Sequence, residues 1–140
     1  MLRFLQKRKF RLVTHWIRAL KTNIGFQLPI HGDFPFHLIF RCLDEIVYML
    51  KHDELEPDPS ARPTFVDQLD DENPPTADQY MELFLSGREV LVGFITNDPS
   101  FCKWFPLEQR EELSLAVEMA IKALIHREMI SYSRRYQHSY

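Results

Sequence analysis

MLRFLQKRKFRLVTHWIRALKTNI, residues 1–24, is the stretch on which the fold of this chain turns. It carries Arg3, Lys7, Arg8, Lys9, Arg11, Arg18 and Lys21, and no acidic residue precedes Asp33. On a helical wheel Arg3, Lys7, Arg11, Arg18 and Lys21 share one narrow sector, while Leu2, Leu5, Leu12, Val13, Trp16, Ile17, Leu20 and Ile24 take the opposite side. Lys9 alone breaks the division, and its stem can lie flat among the apolar residues while its ammonium reaches out. The pattern predicts one amphipathic helix, with a face that must be dry and a face that attracts anions.

The dry face, with Leu5, Trp16 and Leu20 as its docking residues, admits four readings. It packs on the chain's own helices, leaving the basic face solvated or opposite the chain's own acidic segment. It lies on an anionic membrane surface. It lets the basic face grip nucleic acid phosphates. Or it belongs to a cleaved mitochondrial targeting segment, against which stands the absence of any Ser before Ser60. A stripe left uncovered would also make a homodimer natural.

Outside this head the other 10 basic residues face 20 acidic ones. The imbalance is concentrated between residues 53 and 78. Asp53, Glu54, Glu56, Asp58, Asp67, Asp70, Asp71 and Glu72 face a single Arg62, and Pro57, Pro59, Pro63, Pro74 and Pro75 interrupt any helix. A long acidic loop is expected, with a short ordered turn where Phe65, Val66 and Leu69 dock. Loops of this length inside a compact domain are usually functional. This one either masks the basic head or recruits a basic partner through Asp67, Asp70, Asp71 and Glu72.

Three further helices follow from periodicity. Phe36, Ile39, Phe40, Leu43, Val47 and Leu50 predict the second, ending near Asp53. Thr76 and Gln79 have capping-box spacing and open the third, whose stripe of Tyr80, Leu83, Phe84, Gly87, Leu91, Phe94 and Ile95 contains a glycine that close approach of a neighbouring helix would explain. After a break at Asn97-Asp98-Pro99, Asp98 caps a short turn containing Phe101, Cys102 and Trp104. Pro106 suits the start of the last helix, with Leu113, Ala116, Val117, Ala120, Ile121 and Leu124 as its inner stripe. A second stripe of Leu115, Met119, Ile130 and His126 predicts burial on two sides. The tail from Ser131 onward is expected to fray or to form a short binding segment.

Chemistry is sparse. The six histidines include no pair at metal-ligand spacing, and no phosphate-cradling Gly loop or nucleophile elbow occurs, so no cofactor or metal is expected. His31-Gly32-Asp33 is similar to the catalytic-loop tripeptide of kinase-like phosphotransferases, but Leu38 stands where those enzymes place a metal-holding Asn. Ile39-Phe40-Arg41-Cys42-Leu43-Asp44-Glu45-Ile46 and Glu82-Leu83-Phe84-Leu85-Ser86-Gly87-Arg88 resemble the signature helices of apoptosis-regulator bundles. The first has no Gly before Asp44 and the second no Asn-Trp before Gly87. The resemblance implies protein interaction rather than catalysis.

With 140 residues the chain is about one domain long. The expectation is a single all-α domain over residues 1–140, four-helix bundle-like, with the acidic Pro-rich loop between its second and third helices. It acts as a non-enzymatic adaptor or regulatory protein whose basic head engages an anionic surface; another protein is the expected partner, with nucleic acid or an anionic membrane as alternatives. Two cysteines, no Asn-x-Ser/Thr sequon and no secretory signal favour an intracellular, reducing compartment.

Overall fold

The computed structural model of the chain describes residues 1–24, 35–52, 65–69, 71–72 and 74–136, apart from the side chains of Lys21, Asn23, Ile24 and Pro35. The connection at 25–34, with its His31-Gly32-Asp33, and the acidic residues of 53–64 together with Asp70 lie outside the described residues. Within them the chain is all-α: α1 (Leu2–Lys7), α2 (Lys9–Ile24), α3 (Pro35–His52), a 3-10 turn (Phe65–Gln68), α4 (Ala77–Asn97), α5 (Pro99–Trp104) and α6 (Leu107–Tyr136). No helix among them is long and apolar enough to cross a membrane.

The head is two helices rather than one. On a continuous wheel Phe4 would share the basic sector with Arg11. At Arg8 the backbone leaves helical geometry, with φ −111° and ψ 17°, so α1 is re-phased relative to α2. Phe4 thereby turns inward and meets the rings of Phe101 at 5.2 Å and Phe105 at 5.7 Å, both edge-on. The Arg8 guanidinium lies over the outer face of Phe4, 3.4 Å from the ring centroid. Burial of one aromatic ring thus outweighs the continuity of the helix.

α2 buries Leu12, Val13, Trp16 and Leu20 and packs on α3 and α4. Trp16 fixes its seat on α4. Its indole N–H donates to the Leu83 carbonyl at 2.8 Å, and its ring occupies the space that any Cβ on Gly87 would need. Close approach therefore explains the glycine, at a cost of about 1 kcal/mol in helix propensity relative to Ala. Lys9 does as the wheel demands: its stem is partly covered and its ammonium pairs with Asp44 of α3.

The helix starts follow from local chemistry. At α4 the Thr76 hydroxyl accepts from the Gln79 backbone N–H at 3.1 Å and the Gln79 side-chain oxygen Oε1 accepts from the Thr76 backbone N–H at 2.9 Å, closing a capping box. Asp98 caps α5, accepting from the Phe101 N–H at 3.0 Å. α4 and α6 form the most extensive helix pair, and α6 packs through Leu113, Val117, Ala120, Ile121, Leu124 and Tyr132.

Two expectations for α6 are corrected. The helix does not end before Ser131 but continues to Tyr136, because Tyr132 is buried, stacks on Tyr80 and donates its hydroxyl proton to the Pro75 carbonyl. Among the described residues the second stripe is not buried: Leu115, Met119 and His126 are exposed and Ile130 is half-buried.

Candidate functional site

Where the inner stripe of α6 passes Leu124 it turns polar, and Arg127 and Glu128 are both fully buried. The Arg127 Nε donates to Glu128 Oε2 at 2.9 Å, and its Nη1 pairs with Glu45 of α3. Glu128 Oε1 accepts from the Phe65 N–H at 2.7 Å and from the Tyr80 hydroxyl at 2.8 Å. One carboxylate thus holds the 3-10 turn and α4 to α6, while the guanidinium adds α3. The Arg127 Nη2 has no hydrogen-bond partner among the described residues.

Burial pushes the Glu128 carboxyl above the ordinary carboxylate range, against the opposing pull of Tyr80, Arg127 and the Phe65 N–H. Burial, followed by the charge of Glu128, drives the Tyr80 hydroxyl far above a normal phenol. Burial likewise raises the Cys42 thiol, with Glu128 and Glu45 adding to it. The Tyr80 hydroxyl and the Cys42 thiol, whose ionised forms are so disfavoured, are poor nucleophiles. The cluster ties elements together, and sequence reading missed it. Its one signal was positional, since Arg127 and Glu128 continue the three- and four-residue steps of Ala120, Ile121 and Leu124.

The basic residues of the head lie on its outside. Arg3, Lys7, Arg11 and Arg18 are exposed, and Lys21 lies on α2 with its side chain outside the described residues. Arg11 approaches Asp98 at 3.7 Å; Arg3, Lys7 and Arg18 make no ion pair among the described residues. Beside Arg18, between α2 and α4, runs an open groove of about 550 Å³. Leu12, Ala19, Val90 and Phe94 contribute its apolar lining, and Gly93 leaves open space in it, with nothing within 4 Å of where a Cβ would stand. His15 and Arg18 line it from α2, Glu89 from α4, and Asp98 from the N-cap of α5.

Leu5, Trp16 and Leu20 are buried, so the surface on which the head docks is the chain's own α3 and α4. In the acidic segment Phe65, Val66 and Leu69 dock as expected and are fully buried. Among the described residues, no ion pair joins Asp67 or Asp71 to the basic head. They flank Arg135 near the end of α6, whose guanidinium donates to Asp67 at 2.7 Å and to Asp71 at 2.8 and 3.0 Å. The hydrogen bond to Asp71 raises the Arg135 pKa further above its already high ordinary value. Glu72 is exposed, and Asp70 lies outside the described residues. Of the two stretches that resemble apoptosis-regulator helices, one gives Asp44 to Lys9 and Glu45 to Arg127, and the other gives Gly87 to Trp16 and leaves Arg88 exposed.

No group of three or more His, Cys, Asp or Glu among the described residues is placed to hold a metal ion. Compared with models of protein families, with curated proteins and with solved structures, the chain matches none.

Proposed function

We propose that this protein is a non-enzymatic adaptor or regulatory module that binds an acidic helical segment of another protein along the groove between α2 and α4. In this reading four long helices make a bundle-like scaffold, and the acidic Pro-rich connection between α3 and α4 is a separate feature of it. The carrying observation is that Arg3, Lys7 and Arg18 are exposed, with no ion pair among the described residues, on helices whose opposite face is committed to the core. An amphipathic helix laid in such a groove would meet an apolar floor and Arg18, and its acidic side could reach the other exposed basic residues of the head. Two free cysteine thiols, Cys42 and Cys102, suit an intracellular, reducing compartment.

The membrane alternative would need Leu5, Trp16 and Leu20 withdrawn from the core to insert. Nucleic acid would need only the basic face. The test is a titration of a labelled acidic amphipathic peptide, a mixed-sequence RNA and anionic vesicles at two salt concentrations. The expected result is peptide binding that weakens on Gly93→Met, which fills the groove, and on combined Arg3→Glu, Lys7→Glu and Arg18→Glu. Peptide binding indifferent to both changes would overturn the proposal, as would preference for RNA with a steep salt dependence.

A further inference from the structure

The outer face of α6 spells a self-complementary sequence. Glu108, Glu112, Leu115, Met119, Lys122 and His126 follow one another at alternating steps of four and three residues, the spacing of a coiled-coil seam. At roughly 100° per residue this row lies diametrically opposite the buried stripe. All six side chains are exposed, Leu115 at 59% and Met119 at 46%. None of the four charged or titratable ones makes an ion pair among the described residues.

The row reads two acids, two apolar residues, then two bases or potential bases. Laid antiparallel on a copy of itself about a two-fold axis at residue 117, it brings Leu115 opposite Met119, Glu112 opposite Lys122, and Glu108 opposite His126. Each such pair joins an a-type to a d-type position, which is how antiparallel seams interdigitate. Parallel pairing would instead set Glu112 on Glu112 and Lys122 on Lys122. We propose that α6 is a homodimerisation helix, pairing antiparallel with α6 of a second copy of this chain through this row.

Charge complementarity chooses the occupant. A patch with an apolar centre, acids at one end and bases at the other is matched by itself turned through 180°, as a two-fold interface requires. The short apolar centre makes the dimer weak, since a single helix pair of this length buries less than the ~1,200 Å² of a standard interface. Glu118 would come near its own copy beside the axis, which weakens it further. The association is independent of the groove between α2 and α4, which lies on other helices.

Sedimentation equilibrium of the full chain, from micromolar to millimolar, tests it. The wild type is expected to show a reversible monomer–dimer equilibrium, strengthened by Glu118→Gln. Glu112→Lys and Lys122→Glu, each creating two like-charge contacts in the symmetric pair, are each expected to weaken it at least about tenfold. Mixing those two variants restores association, because every contact across the mixed pair is again between opposite charges; so does combining both changes in one chain. These are exposed positions, and circular dichroism confirms that the variants fold. A monomeric wild type at the highest concentration overturns the proposal. So do single variants that dimerise normally, or a mixture that associates no better than its parts.

Discussion

Gly87 has no side chain because Trp16 occupies the space, and the two residues act as one device. Gly87→Ala gains helix propensity but drives a methyl group into the indole, so the ring must leave Leu83 or the helices must part. Overpacking of this kind costs about 1–3 kcal/mol, read as a lower urea midpoint at an unchanged m-value. Glu128 makes a second residue-scale prediction, concerning pH. Its folded carboxyl titrates above its unfolded value, so the folded state holds that proton more tightly. Its contribution to stability therefore declines as pH rises from the ordinary carboxylate range through the raised value. Glu128→Gln, which cannot ionise, removes this decline. Thermal midpoints across acid to neutral pH check it; parallel profiles for wild type and variant would contradict the account.

At the scale of elements, starts are set locally and ends are not. The capping box of α4 is worth about 1 kcal/mol, and Thr76→Ala is expected to lose that amount in chemical denaturation. Such starts were legible in the sequence because Thr76, Gln79 and Asp98 bond to neighbours three residues away. The break at Arg8 was not, because it serves Phe4, whose partners Phe101 and Phe105 lie in another helix. Nor was the end of α6, which depends on Tyr132 finding Tyr80 and Pro75. The buried pair Arg127 and Glu128 had the right spacing for the inner stripe and the wrong residue types. Glu45 and Tyr80, from two other helices, and the Phe65 N–H help make those charges tolerable inside.

In the whole molecule the basic head is a core element, whereas the sequence left open whether it was core, arm or targeting segment. Its wheel predicted which residues would be outside, and Arg3, Lys7, Arg11 and Arg18 are there. What it faces could not be read, since opposite charges attract at any sequence separation and the acidic Asp67 and Asp71 are paired with Arg135 instead. Amide hydrogen exchange is expected to protect residues 9–20 as strongly as the inner turns of α6, because both are packed on α4. Rapid exchange there would mean that the head undocks in solution.

The placement of the two tryptophans supplies an internal reporter of that docking. Trp16 is sealed in the core while Trp104 is 68% exposed. Acrylamide should therefore quench one emitter and spare the other, whose blue-shifted emission comes from the seat of α2 on α4. A ligand that leaves the head seated would leave that second emission unquenched, whereas one that levers it out would turn both indoles into solvent-accessible dyes.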